Sequence, residues 1–409
     1  MRIDWSFVKG SAVVGIGNVA AHVLGFVFFV IVARMYVPSE YGYIRYVITI
    51  ATLACAVAST GFPSASTIYV SRYSKDEELR DVYFSNSLIA IFILFLATIL
   101  VLFVMGKLDL GTLLVMIGLT VAATYLGTIR GFILCRRIAG FQISTNSLKI
   151  ALVALLFYVV GFCPSLYVLA IFGFACLIPI CIIEIIRPLP LRFRRKSISK
   201  NVLKELTKFA VPVIISSVTY SMIMSIDIIC IKYFLGLEQV GFYSVARTLV
   251  VVFTFVPMSI NTLLMPKVAR LRERKRVFEY LKISVTAVAL VSTGLFLGFY
   301  AFGEMVIRMV FGTEYLYATS ALSILSLGMI LFSISSIADN VWMGIGKPML
   351  PTKVILVAMG INIVGNMCLI PRMGTFGAGL SFTLSYLAVA VIWLAIFLKE
   401  RKDGFPSFS

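Results

Sequence analysis

The sequence predicts an all-α, polytopic integral membrane protein of about twelve transmembrane helices in two six-helix bundles, and three observations carry that reading. Of 409 residues, 60% are hydrophobic and only 13% are charged, at a mean hydropathy of +1.02. A soluble chain carries roughly a quarter charged residues, because its surface must be covered by them. Apolar runs of about 20 residues, enough helix to cross a hydrocarbon core of roughly 30 Å, recur along the whole chain. The runs are continuous rather than alternating, which selects helices over a barrel.

The first run, 11 to 33, is too long for a secretory signal and has no convincing small-residue cleavage site, so it is read as a retained first helix. The second, 44 to 70, follows the polar turn within MYVPSEYGYIRYVI. The third and fourth, 83 to 105 and 110 to 133, part at the short turn of Lys107, Leu108 and Asp109, and the fifth and sixth, 144 to 162 and 165 to 186, part at GFCPS. A basic stretch, 187 to 208, leads to the seventh and eighth runs, 209 to 234 and 241 to 265, joined by LGLEQVG. The ninth to twelfth cover 283 to 303, 316 to 344, 352 to 371 and 376 to 398. Pro63, Pro179, Pro212 and Pro257 fall within runs and are candidate bending points, since proline removes a helix hydrogen bond.

Net charge is +18, and its distribution orients the chain. With the N-terminus inside, 28 of the 36 Lys and Arg fall on one face and six on the other; Lys149 and Arg247 lie inside runs. Positive charge gathers on the cytoplasmic side of spanning helices, so both termini are expected there, in agreement with an even number of helices. The basic stretches at 187 to 208 and 266 to 276 are read as topology signals that touch anionic membrane lipids, not as nucleic-acid sites. Cys55, Cys135, Cys163, Cys176, Cys181, Cys230 and Cys368 lie in or at the ends of runs with no CxxC pair, which excludes a disulfide framework or a metal centre as the organising principle.

The basic stretch also divides the chain near its middle, into residues 1–190, a linker at 191–208 and residues 209–409. At an offset of 199, Gly42 falls on Gly241, Tyr43 on Phe242 and the turn PSE on LEQ. Each half has an even number of helices and enters the membrane in the same direction, so the halves are expected to be parallel repeats around a central cavity.

Polar residues inside runs are the functional candidates, because a charge at mid-membrane costs about 2.5–3.5 kcal/mol even on lenient scales. On the first helix Ser11, Gly15, Asn18, His22 and Gly25 form one stripe of small and polar residues, at 100° per residue. It suits either close helix packing or the lining of a cavity. His22 is the single histidine, about 18 Å into its helix at 1.5 Å per residue. The repeat offset places Ser217 and Ser221 of the seventh helix on Asn18 and His22, with Tyr220, Met224 and Asp227 on the adjoining face. Asp227 and Arg247 lie at matching depths on consecutive helices and are expected to pair. Arg45 and Lys149 have no carboxylate at an obvious matching depth, which points to an anion as their partner or to snorkelling toward the interface. Glu184 and Asp339, near cytoplasmic helix ends, are expected to be satisfied by solvent or basic loops.

Three segments carry a family resemblance: FVIVARMYVPSEYGYIRYVITI (29 to 50), SIDIICIKYFLGLEQVGFYSVARTLV (225 to 250) and the run from GIGKPMLPTK to LAVAVIWL (344 to 394). With them the chain resembles the Wzx-type oligosaccharide flippases, or polysaccharide-biosynthesis exporters, of the superfamily that includes MATE drug exporters and lipid II flippases. The resemblance implies an alternating-access transporter, not an enzyme. Its cargo would be an isoprenoid-pyrophosphate-linked oligosaccharide, moved from the cytoplasmic to the outer leaflet of a prokaryotic plasma membrane. It implies no cofactor beyond a coupling ion, H+ or Na+, and polymerase or glycosyltransferase partners in polysaccharide synthesis. A cationic path of Arg45, Lys149 and Arg247 then fits a pyrophosphate. A MATE-type exporter of small amphipathic molecules and a membrane polysaccharide polymerase are the alternatives; the second lacks the large catalytic loop such enzymes present.

Overall fold

The computed structural model describes residues 5–161, 164–194, 198–270, 274–345 and 349–403. Cys163 lies outside the described residues, and so does the side chain of Ser11. Among the described residues the regular structure is helical, and eleven helices are long and apolar enough to span a membrane. The α-helices, some of them joined end to end within one span, are in order α1 (Trp5–Met35), α2 (Pro38–Ala58), α3 (Gly61–Arg72), α4 (Glu77–Val104), α5 (Leu110–Gly131), α6 (Cys135–Val160), α7 (Ser165–Phe174) and α8 (Leu177–Ile186). There follow α9 (Lys200–Ile223), α10 (Ile226–Leu235), α11 (Leu237–Val250), α12 (Phe255–Arg270), α13 (Arg274–Val310), α14 (Ala318–Gly344) and α15 (Met349–Asp403).

The short turns behave as their sequences require. Asp109 caps α5 by accepting the Thr112 N–H at 2.7 Å, and Asp76 caps α4 by accepting that of Leu79 at 3.0 Å. The last apolar helix runs 51 residues, which at 1.5 Å per residue is about 77 Å, more than twice a hydrocarbon core. It folds back on itself at Gly374 (φ 64°, ψ −145°), a conformation in which a side chain would be strained. A Cβ at Gly365 would stand 2.8 Å from Ser381 Oγ, so the two arms pack as a hairpin. The eleventh and twelfth predicted spans are those arms.

Four predicted spans are interrupted within the membrane, at 59–60, 175–176, 224–225 and 251–254, the last a 3-10 turn. Pro63, Pro179 and Pro257 each sit third in the helix that follows a break. Proline denies a hydrogen bond to the carbonyl four residues earlier, here Ser59, Ala175 and Phe253, and that is where the backbone yields. Pro212 behaves differently: it stays within a continuous α9, and the break falls twelve residues later without it.

Contacts group the chain into two compact units, Met1–Val32 with Val47–Ser221, and Ala33–Tyr46 with Met222–Ser409. The grouping differs from a cut in the basic linker at both ends. In the first unit α9 packs through Leu206 and Ala210 onto Phe62, Tyr69 and Tyr83. Its Glu205 accepts the hydroxyls of Tyr69 at 2.9 Å and Tyr83 at 2.7 Å. The linker lies along α4: Arg192 N–H donates to Asp81, Arg194 N–H to Ser85 Oγ at 2.9 Å and Ser199 N–H to Asn86 at 3.1 Å, while the Arg80 guanidinium donates to the Pro190 carbonyl.

In the second unit the two turns matched by the repeat offset lie against each other. A Cβ on Gly42 would fall 1.9 Å from the Leu237 carbonyl oxygen, and one on Gly241 would fall 2.1 Å from that of Pro38. Since Pro38 and Leu237 are themselves equivalent at the offset of 199, the contact is reciprocal: each repeat places its glycine on the other's helix start. Self-complementary contact of this kind is the signature of two-fold symmetry. Gly42→Ala is expected to destabilise the protein in detergent by about 1–3 kcal/mol, since backbone cannot yield as a side chain can. Gly25→Ala, with nothing within 4 Å of its Cβ position, should leave thermal stability unchanged or raise it by up to about 1 kcal/mol.

Candidate functional site

The charged site is built around the break between α9 and α10. Asp227 is the second residue of α10, where the exposed N–H groups and the helix dipole favour an anion. Its Oδ1 accepts the Ile228 N–H at 2.9 Å, and its Oδ2 accepts the hydroxyl of Tyr243. Asp227 is wholly buried. Arg247, one helical turn beyond Tyr243 on α11, sets Nη1 3.7 Å from Asp227 Oδ2. Its Nη2 donates to the carbonyl of Met224, which lies in the break, and the guanidinium rests over the ring of Phe382, 5.4 Å from its centroid. The expected pair forms, and the same arginine closes an opened helix. An irregular backbone is tolerated at membrane depth when such donors satisfy it.

Arg45 joins this pair. It interacts electrostatically with Tyr41, Arg247 and Asp227, so the expectation that no carboxylate lies at its depth is corrected. The carboxylate is supplied by α10 through the glycine contact of α2 with α11. Arg247 pairs with the carboxylate and Arg45 lies within electrostatic range of it, a local excess of one positive charge among apolar side chains. A buried ion needs a partner and hydrogen bonds to offset its lost hydration. Here they come from Tyr243, the Ile228 N–H and the Met224 carbonyl.

The other candidates belong to the first unit. Lys149 stands with Nζ 4.1 Å from the centroid of Phe172, a cation–π contact, in a cluster with Phe28 and Phe29. The α1 stripe does not make the helix contact it suits: α1 packs through Gly17, whose Cβ position lies 2.5 Å from Ala139 Cβ, and through Gly10 onto Cys135. Gly15 and Gly25 have nothing within 4 Å of theirs, Asn18 is half-buried and His22 is exposed. Ser217 and Ser221 are half-buried. Glu184 accepts from Tyr125 at 3.0 Å and from the Leu189 N–H at 2.8 Å, and Asp339, in the second unit, accepts from Trp393 Nε1 at 3.1 Å.

Sequence reasoning missed Tyr243 and Phe382. Tyr243 was findable, because residues four apart on one helix share a face and Arg247 was already assigned to Asp227. Phe382 was not, since it reaches the site from α15, more than 130 residues away.

Asp227→Asn removes the carboxylate that pairs with Arg247, and is expected to lower stability by about 3–5 kcal/mol. Adding Arg247→Gln should restore part of the loss, with an interaction energy of about 0.5–3 kcal/mol in thermal unfolding of the two single variants and the double. Strictly additive effects would show that the two side chains are not coupled.

Comparison with known proteins matches this geometry to a family. A family model described as "Polysaccharide biosynthesis protein" matches residues 7–271, and one described as MatE matches 212–368. An uncharacterized membrane protein of Methanocaldococcus jannaschii, MJ1068, is 28% identical over 217 residues, half of this chain and 41% of that one. A probable low-salt glycan biosynthesis flippase of Haloferax volcanii, Agl15, is 24% identical over 169 residues, 41% of this chain and 36% of that one. These matches thus span about two fifths of each relative's length. Among solved structures, an inward-facing MATE family multidrug resistance transporter superposes with a TM-score of 0.73 at 14% identity, covering 94% of this chain and 96% of that one. The lipid II flippase MurJ in an inward closed conformation superposes with a TM-score of 0.70 at 16% identity, covering 94% and 87%. At such identities the superpositions establish a shared fold alone, that of an all-α multi-pass membrane protein. The family-model match, extending over more than half of the chain, places it within the polysaccharide biosynthesis protein family.

Proposed function

We propose that this chain is a flippase that moves an isoprenoid-pyrophosphate-linked oligosaccharide from the cytoplasmic to the outer leaflet by alternating access. The observation that carries the reading is the cluster of half-buried Arg45 and Arg247 around the buried Asp227, whose excess cation suits a pyrophosphate. Guanidinium offers paired donors to phosphate oxygens, and a low-dielectric setting strengthens that contact. Family membership and the glycan flippase among the relatives support the same cargo. In this reading an arriving pyrophosphate competes with Asp227 for Arg247. Asp227 keeps the Tyr243 hydroxyl and the Ile228 N–H, while the Met224 carbonyl in the α9–α10 break loses its donor. The break is then freer to bend, and the ligand shifts the equilibrium by the difference in its affinity for the two states.

We further read the protein as a transporter without catalytic chemistry, with H+ or Na+ as coupling ion and Asp227 as the group that would sense it. Asn18, His22, Lys149, Ser217 and Ser221 are assigned to the path by the same proposal. The setting is the plasma membrane of a prokaryotic cell with both termini cytoplasmic, beside the glycosyltransferases that make the cargo and a polymerase that uses it. A MATE-type exporter of small amphipathic molecules is the second reading; the match of residues 212–368 to the MatE model and the buried Asp227 favour it.

In proteoliposomes loaded with a fluorescent isoprenyl-pyrophosphate disaccharide, the unaltered chain should expose label to the outer leaflet. Arg247→Ala and Arg45→Ala should slow that at least ten-fold, and Arg247→Lys less. Movement of organic cations down an imposed ion gradient, without movement of the disaccharide, would favour the exporter. Single cysteines at Arg192 and Lys204 should react with a membrane-impermeant maleimide in inverted vesicles and not in intact cells; the reverse pattern would overturn the orientation.

A further inference from the structure

The first unit carries a groove of about 550 Å³ that the charged site does not use. Its walls come from α4, α5 and α8, and its end is closed by the linker. Phe84, Leu88, Phe92, Phe95, Ile117 and Val121 make its walls apolar, and Phe92 is 60% exposed at its margin. Such a groove within spanning helices leaves wall atoms without dispersion partners on one side, which hydrocarbon restores. From Phe84 to Phe95 it follows α4 for about 16 Å at 1.5 Å per residue.

The closed end has a different chemistry. Leu189 and Leu191 turn into the groove, while Arg187 and Arg192 stay exposed and Arg194 pairs with Glu78 at 3.2 Å and Asp81 at 3.6 Å. The hydrogen bonds from the linker to Asp81, Ser85 and Asn86 of α4 hold it in this register. Glu184, at the floor, has its carboxylate taken by Tyr125 and the Leu189 N–H. The result is an apolar slot with a cationic rim.

We propose that this slot holds the isoprenoid tail of the carried lipid, with its pyrophosphate first against the rim of Arg187 and Arg192, a step before it competes for Arg247. The inference rests on the flippase reading and adds to it a binding site for the part of the substrate that never leaves the hydrocarbon. A glycerophospholipid presents two chains from one head, whereas an isoprenyl pyrophosphate presents one, which suits a single slot. The second unit has a related groove of about 780 Å³ beside α13, α14 and the second arm of α15, where Trp393 donates to Asp339 as Tyr125 donates to Glu184. Lys282 is the one cation in its lining, and the exposed Arg276 and Lys399 adjoin that lining in sequence. What distinguishes the first is the extended stretch after α8, whose Leu189 and Leu191 close its end.

Two measurements on the full-length chain in proteoliposomes test the site. In the first, Val121→Trp fills the slot, and transport of a long-chain isoprenyl-pyrophosphate disaccharide is compared with that of a ten-carbon analogue. At least a ten-fold loss is expected for the long chain, with the short analogue unchanged; equal loss of both, or of neither, would overturn the inference. In the second, the unaltered chain is photolabelled with a benzophenone-tagged isoprenyl pyrophosphate, so that no variant need fold. Labels on residues 84–95 and 117–128, competed by untagged isoprenyl pyrophosphate, are expected. Labels confined to 278–285 and 390–398, or competition by anionic phospholipid alone, would overturn it. If the unaltered chain moves neither disaccharide while photolabelling still marks the slot, the flippase reading has failed and the inference with it.

Discussion

Close backbone approach at Gly42 and Gly241 is the constraint on which the second unit depends. Each glycine admits the carbonyl oxygen of the other repeat's first helical residue to a distance that a Cβ would forbid. Side chains at that contact would force the starts of α2 and α11 apart. With it in place, Tyr41 and Arg45 of α2 are carried to the face of α11 that bears Tyr243 and Arg247, and Tyr315 donates to the carbonyls of Ala33 and Tyr36 to anchor the end of α1. A repeat contact with no charge of its own thus determines which charges meet.

The charges themselves break the symmetry. At the offset of 199, Asp227 corresponds to Phe28, Arg247 to Ile48 and Arg45 to Ser244. Phe28 lies in the aromatic cluster under Lys149, so equivalent positions hold an ion pair in one repeat and packed rings in the other. Hydrocarbon makes each unpaired charge expensive, and the chain concentrates its buried ions where one helix break supplies both an N-terminus for Asp227 and a freed carbonyl for Arg247. The break is therefore part of the electrostatics as well as a point of bending.

Much of this was legible in advance. Continuous apolar runs located every spanning segment, because in hydrocarbon a backbone can satisfy itself only by helix. The pairing of Asp227 with Arg247 followed from counting residues away from a shared turn, and Pro63, Pro179 and Pro257 marked three of the four breaks. For Arg45, depth was compared along consecutive helices, whereas the carboxylate within electrostatic range of it belongs to a helix about 180 residues later. The α1 stripe was legible as a pattern but not in direction, since periodicity gives one face of a helix and does not say what that face meets.

What the sequence determined by itself is therefore what depends on local chemistry and on the solvent: an all-helical membrane chain, its repeat, its charge asymmetry and the residues too costly to bury without a purpose. The tertiary structure alone decided which of those residues meet. It grouped Arg45 with Asp227 and Arg247 and set Lys149 apart on Phe172. It also laid the basic linker along α4, so that a segment read as a topology signal became the rim of a groove. Helix rotation and partner choice are set by interdigitation of side chains and by glycine contacts between distant segments. No local periodicity encodes those, because the atoms that decide them belong to both surfaces at once.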